Sequence, residues 1–128
     1  MQKFFFIRLD GKYVKINFSD IQYVEGCKNY LKIVTERKNY LVLITMKRME
    51  QLLPSHLFKR VHKSYIVSLD GITEFDGNTV YLKDKELPIG HLYKEILEKS
   101  VLIAQNEIHE PISAALSSYT IPLAMYKS

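Results

Sequence analysis

Short runs in which apolar and polar residues alternate occupy most of the first 90 residues. A period of two is typical of half-buried β-strands, because successive side chains point to opposite faces of a sheet. Leu31 and Ile33, for example, flank Lys32, which predicts one buried face. Between runs, Asp10-Gly11 suits the positive φ angles of a two-residue hairpin turn. The pattern predicts strands over Lys3–Leu9, Lys12–Asn17, Ile21–Glu25, Asn29–Thr35, Asn39–Ile44, Val61–His62, Tyr65–Leu69, Ile72–Phe75, Thr79–Leu82 and Glu86–Ile89.

Two segments change to the helical period. Thr45 can cap the free N–H groups of a first helical turn, and Pro54 closes that segment. The apolar residues between them recur at helical spacing and predict core packing rather than a cofactor site; they are Met46, Met49, Leu52 and Leu53. A second amphipathic helix is predicted from Leu92 onward, with its stripe formed by Leu92, Ile96, Leu97 and Val101.

Composition is consistent with one β-rich domain and a distinct tail. The chain has 128 residues, nine Tyr, six Phe and no Trp, and aromatic side chains favour pleated surfaces. No apolar run is long enough to span a membrane. The single cysteine, Cys27, excludes an internal disulfide and is compatible with a reducing cytoplasm. We therefore expect a domain over residues 1–104 and a tail over 105–128, which is either a poorly ordered terminus or a segment that docks a protein partner.

Charge is distributed unevenly along the sequence. Between Lys28 and Lys63 only Glu36 and Glu50 oppose nine basic residues: Lys28, Lys32, Arg37, Lys38, Lys47, Arg48, Lys59, Arg60 and Lys63. Residues 70–98 carry seven acids and three lysines. A one-sided basic surface attracts a polyanion, because each neutralised phosphate releases condensed counterions. The alternative is a solvated basic face without a partner.

The sequence carries no recognisable catalytic or metal-binding constellation. One Cys and four His lie scattered without paired ligand spacing, and no Gly-rich phosphate loop precedes a helix. His62 and Ser64 would share a strand face, yet no acid is marked as a third partner. His62 is therefore expected to pack or hydrogen-bond within a half-buried strand. We expect no enzyme activity, no cofactor and no metal.

Three motifs in order resemble the LytTR family of bacterial DNA-binding domains. The first is Asp20-Ile21-Gln22-Tyr23-Val24-Glu25 followed by Asn29-Tyr30-Leu31-Lys32-Ile33. The second and most specific is Phe58-Lys59-Arg60-Val61-His62-Lys63-Ser64-Tyr65-Ile66-Val67. The third is Leu87-Pro88-Ile89-Gly90-His91-Leu92-Tyr93, where the family usually has Ser-Arg or Ser-Lys in place of Gly90-His91. The resemblance covers about residues 4–101.

The resemblance implies a mainly β fold of small, mostly antiparallel sheets, with one short internal helix and a C-terminal helix. It also implies that loops enter DNA major grooves, that two copies bind a direct repeat, and that the chain stands alone or belongs to a longer regulator. The residues expected at DNA are Lys28, Asn29, Tyr30, Lys59, Arg60, Lys63, Ser64 and His91. Asn29 can pair with an adenine edge or simply make the turn, and Arg60 can take a phosphate through two bonds. The replacement Gly90-His91 weakens the expected third contact, because neutral histidine cannot grip guanine as arginine does.

The sequence therefore predicts a cytoplasmic bacterial transcription regulator that binds double-stranded DNA, as a possible homodimer on DNA and without membrane insertion. Two alternatives stay open. An RNA-binding β-domain would stack bases on loop aromatics such as Tyr30, and a protein-interaction module would use the apolar tail. Cys27, expected in the first DNA-facing loop, is either a redox switch with a pKa lowered by Lys28 or an inert thiol.

Overall fold

The computed structural model describes residues 2–105. Within them the chain forms three antiparallel sheets and two α-helices, so the predicted mainly β fold is confirmed. A two-stranded sheet pairs β1 (Phe4–Leu9) with β2 (Lys12–Asn17). A five-stranded sheet has the order β5-β4-β3-β7-β6, from β3 (Ile21–Cys27), β4 (Tyr30–Thr35), β5 (Asn39–Val42), β6 (Phe58–His62) and β7 (Tyr65–Ser68). A three-stranded sheet contains β8 (Glu74–Phe75), β9 (Thr79–Tyr81) and β10 (Glu86–Pro88). The helices are α1 (Met46–Leu52) and α2 (Lys94–Lys99).

The five-stranded sheet is covered on both faces. Consecutive residues Tyr23 and Val24 of β3 are both buried, and alternation sends one to each side. Val24 belongs to a core that includes residues of β1, β2 and α1, whereas Tyr23 belongs to a second core with β9, β10 and α2. Adjacent buried apolar residues, Tyr23-Val24 in β3 and Ile66-Val67 in β7, mark the central strands that are covered on both faces.

Local chemistry fixes the chain at three places, and the first two were predicted from the sequence. Asp10 and Gly11 have φ angles of 49° and 76°, as a type I′ hairpin requires. The Thr45 hydroxyl accepts from the Arg48 N–H at 3.0 Å and caps α1. The Asp76 carboxylate accepts from the N–H groups of Asn78 and Thr79, both at 2.8 Å, which fixes the turn before β9 and holds the pKa of Asp76 below its ordinary value.

The predicted stripe of the C-terminal helix is wrong except at one residue. The helix begins at Lys94 rather than Leu92, because residues 91–93 form a turn in which the Tyr93 N–H donates to the Gly90 carbonyl at 2.9 Å. Leu97 is fully buried, whereas Leu92 and Ile96 are exposed. A six-residue helix forms fewer than two turns, so it is too short for the whole predicted apolar stripe to pack against the core.

Other element boundaries differ by a few residues. β3 continues to Cys27, so this cysteine lies in a strand and not in a loop. β6 begins at Phe58, three residues before the predicted start, because the ladder with β7 pairs Phe58 with Ser68. Residues 69–71 form a short 3-10 helix between β7 and β8.

The expected tail beyond residue 105 lies outside the described residues, and the domain boundary at residue 104 stays a prediction. No helix in residues 2–105 is long and apolar enough to cross a bilayer.

Candidate nucleic-acid interface

Two tight turns lie side by side at one end of the five-stranded sheet, called here the basic end. Lys28–Asn29 join β3 to β4, and Lys63–Ser64 join β6 to β7. The Gly26 N–H donates to the Ser64 carbonyl at 2.8 Å, which links the Lys63–Ser64 turn to the end of β3, two residues before the other turn. Tyr30 opens β4 beside them and is 46% exposed. Pairing of β3 with β7 therefore brings together residues that are more than 30 positions apart in the sequence.

The Lys63–Ser64 turn is held by two side chains of β6. The His62 Nδ1 accepts from the Ser64 N–H at 3.1 Å, in the hydrogen-bonding role predicted for this residue. Arg60 Nη2 donates to the Lys63 carbonyl at 2.7 Å, and its Nε donates to the His62 carbonyl at 3.3 Å. These bonds fix the backbone of Lys63 and leave its side chain exposed.

Arg60 is enclosed by its neighbours. Its Nη1 lies 3.5 Å from a carboxylate oxygen of Glu50 on α1, and its guanidinium lies 5.8 Å from the ring centroid of Tyr93. The side chain is only 20% exposed. The guanidinium edge that carries Nε and Nη2 is already used by two carbonyls, so a two-bond phosphate grip through that edge is not available. Contact of Arg60 with DNA stays a prediction.

The third expected contact region also lies near this turn. The Gly90 N–H donates to the Val61 carbonyl at 2.7 Å, which anchors the exposed His91 beside the end of β6. A Cβ atom at residue 90 would lie 2.9 Å from the Tyr93 ring. The usual family serine would therefore displace the ring that packs beside Arg60. Close packing of Tyr93 gives a structural reason for glycine at this position, a link that the third motif alone did not reveal.

Basic residues that are close in sequence do not all share this end. Arg37 and Lys38 follow β4 at the far end of the sheet, where Glu36 lines a groove with Asp70 and Asp84. Because the chain reverses direction at each turn, the basic residues of this stretch lie at both ends of the sheet. The expectation that they form one basic surface is therefore wrong. Lys59 lies on strand β6 rather than in a loop and is half-buried.

Pairing with acids leaves a smaller set of cations at the basic end. Lys32 pairs with Glu25 at 3.3 Å, and Arg60 pairs with Glu50. Lys28 and Lys63 form no ion pair among residues 2–105 and are both exposed. Each of the two turns therefore carries one exposed lysine that is unpaired among the described residues.

Glu25 connects a small polar cluster just behind the turns. Its Oε2 accepts from Cys27 Sγ and lies 3.3 Å from both that atom and Lys32 Nζ. Burial opposes ionisation, but the bonds from Cys27 and Lys32 hold the pKa of Glu25 below its ordinary value. Burial, followed by the adjacent carboxylate, raises the pKa of the Cys27 thiol. The expected lowering by Lys28 is therefore wrong, and the result favours the inert thiol.

Replacing Glu25 with glutamine should increase the rate at which iodoacetamide alkylates Cys27 in the folded protein at mildly alkaline pH. Loss of the neighbouring negative charge lowers the thiol pKa and raises the thiolate fraction, which is the reactive form. Glu36→Gln, at the far end of the sheet, is the matched control and should leave the rate unchanged. Equal rates for wild type and Glu25→Gln would contradict the assigned cause of the shift.

Lys28 adopts a strained backbone conformation. Its φ angle is 53°, whereas no positive φ occurs at Asn29, so the left-handed turn residue is the lysine. The left-handed region costs an L-residue about 1–2 kcal/mol, and glycine avoids this cost. Lys28 therefore combines a strained turn position with an exposed side chain.

Lys28→Gly is expected to raise the free energy of unfolding by about 1 kcal/mol and to weaken DNA binding at the same time. Urea denaturation and duplex titration measure the two effects. Asn29→Gly is the control in the same turn: it relieves no left-handed strain and should not stabilise the domain. Stabilisation by Lys28→Gly without weaker binding would remove Lys28 from the interface.

Comparison with known proteins identifies the family of this chain. The model of the LytTr DNA-binding domain matches residues 11–102. The chain belongs to the LytTr DNA-binding domain family. All the residues discussed in the two turns and the His91 region fall within the matched range. LytTr domains bind DNA and are not a catalytic family. No cluster of His, Cys, Asp or Glu within residues 2–105 could hold a metal ion.

Relatives and solved structures agree with the LytTr assignment. Sensory transduction proteins LytT of Bacillus anthracis and Bacillus cereus are each 28% identical over 101 residues, which is 74% of this chain. The chain spans 41% of their length. A LytTr DNA-binding domain from a Bacillus cereus response regulator has the same fold, with a TM-score of 0.67 and 18% identity over 78% of this chain and 97% of that domain.

Proposed function

We propose that this LytTr domain binds double-stranded DNA sequence-specifically through the basic end and thereby regulates transcription. The observation that carries the proposal is the pair of linked turns, in which exposed Lys28 and Lys63 flank the polar side chains of Asn29 and Ser64. Cations position a protein on phosphates, while amide and hydroxyl groups can reach base edges in the major groove.

Each side chain has a role that its chemistry supports. Lys28 and Lys63 neutralise phosphates, and Ser64 bonds a phosphate oxygen. Asn29 reads an adenine edge through its paired donor and acceptor. Tyr30 packs beside the backbone, and His91 makes a neighbouring contact weaker than the usual family arginine or lysine. The resemblance further supports two copies bound to a direct repeat.

Selection from a pool of random duplexes tests this function. The expected result is enrichment of one short motif, repeated in the same orientation, with affinity that falls steeply as salt rises. The selected duplex should outcompete a single-stranded RNA of the same sequence. Preference for the RNA would favour the alternative RNA-binding domain, and the absence of any enriched duplex would contradict sequence-specific recognition.

A further inference from the structure

The hairpin formed by β1 and β2 carries a second group of cations near the basic end. Arg8 pairs with Tyr13 across the hairpin, and Lys12 follows the Asp10-Gly11 turn. Arg8, Lys12 and Tyr13 are exposed. Neither Arg8 nor Lys12 forms an ion pair within the part of the chain that the structure describes. No motif described above includes these residues, and they were not predicted at DNA.

The tip of this hairpin lies on the same side of the molecule as the two turns. Leu9 and Asp10 line a groove together with Tyr30 and Leu43. Tyr30 and Leu43 also line the neighbouring groove that contains Lys28 and Lys63. The tip therefore lies beside the end of the five-stranded sheet that carries the two turns.

Arg8 is held in place at this tip. Its Nη1 donates to the Tyr13 hydroxyl at 2.8 Å, and its guanidinium carbon lies 5.0 Å from the centroid of the Tyr13 ring. One donor is thereby occupied, and the other guanidinium N–H groups have no hydrogen-bond partner within residues 2–105, so they can meet an oxyanion. An arginine that is oriented before binding loses less side-chain entropy when it contacts a phosphate.

We propose that Arg8 and Lys12 bind backbone phosphates next to the segment that the basic end contacts. This inference rests on the proposed function, because it extends the same interface along the duplex. A duplex carries one phosphate charge for about every 1.7 Å of its axis, so a duplex that contacts the basic end also presents phosphates to the neighbouring hairpin tip. The contact adds affinity without reading bases.

The test uses a duplex selected by the wild-type protein and the double variant Arg8→Ala/Lys12→Ala. Two lost phosphate contacts should lower the slope of log affinity against log salt by about 1.8. The matched control is Lys83→Ala/Lys85→Ala, which removes two exposed lysines from the opposite end, beside Glu36. A reduction no greater than in this control would overturn the proposal, because it would show a general effect of net charge.

A second variant keeps the hairpin intact. Asp10→Asn removes the one acid at the tip, and asparagine tolerates the left-handed φ angle of 49°. We expect it to tighten binding to the same duplex and to steepen its salt dependence. Unchanged or weaker binding would count against phosphate contact at the tip.

Shortened duplexes locate the contact. Trimming base pairs beyond the selected motif should weaken wild-type binding at one flank only, and the double variant should be insensitive to that trimming.

Failure of this inference is distinct from failure of the proposed function. If the wild type binds and Lys63→Ala weakens it while the double variant behaves as wild type, only the hairpin contact is refuted. If the wild type binds no duplex, both are refuted.

Discussion

Replacing Lys63 with alanine is expected to weaken duplex binding about tenfold at low salt and to lower the salt slope by about 0.9, the loss of one phosphate contact. The side chain is exposed, unpaired among the described residues and displayed by a turn whose backbone is fixed. Its removal should change the free energy of unfolding by no more than about 0.5 kcal/mol. Fluorescence anisotropy at several salt concentrations measures the slope, and urea denaturation measures the stability.

Lys83→Ala is the matched control for this loss of charge, because Lys83 is exposed in a groove that also contains Glu36 and Asp70. It should leave the slope nearly unchanged. If both variants give the same slope as wild type, Lys63 does not neutralise a phosphate and the basic end loses its main contact.

Replacing Arg60 with alanine is expected to have a different effect, because this side chain acts mainly on the backbone of its own turn. Its bonds to the His62 and Lys63 carbonyls are charge-assisted, and losing them together with the Glu50 contact should lower the free energy of unfolding by about 2 kcal/mol. DNA binding should weaken in the folded protein, because the Lys63 turn is no longer held. The salt slope should change less than for Lys63→Ala.

Arg60→Lys separates the two roles. Lysine keeps the charge but has no planar fork to bond two carbonyls. If Arg60 holds the turn, Lys should recover less than half of the lost stability and binding. Full recovery of binding by Lys, with a salt slope that drops by one unit in Arg60→Ala, would instead show direct phosphate contact as the sequence suggested.

Local rules in the sequence accounted for much of the fold. Period-two alternation located the strands, and Asp10-Gly11 specified its hairpin because both residues must take positive φ angles. The Thr45 cap and the buried Met49 located α1. These features depend on neighbours within a few residues, and the sequence contains that information directly.

Features that depend on pairing between distant strands were harder to predict. Arg37 belongs to the same stretch of basic residues in the sequence as Lys28 and Lys63. It lies at the other end of the sheet, because β4 carries the chain away from the turns. Arg60 was expected to bind a phosphate, yet its guanidinium donates to the carbonyls of His62 and Lys63. These carbonyls come within its reach only because the chain turns between β6 and β7. The hairpin cations were missed because no motif marks them and only the shared grooves reveal their place.

The position of β3 and β7 in the middle of a doubly covered sheet has a dynamic consequence. Amides in strands buried on both faces exchange with solvent only through the largest openings of a domain, whereas peripheral elements open more readily. Both turns of the basic end begin or end at these central strands, while the β1–β2 hairpin is an outer element. Transient fraying of the hairpin would therefore release the outermost phosphates first and leave the spacing between Lys28 and Lys63 intact.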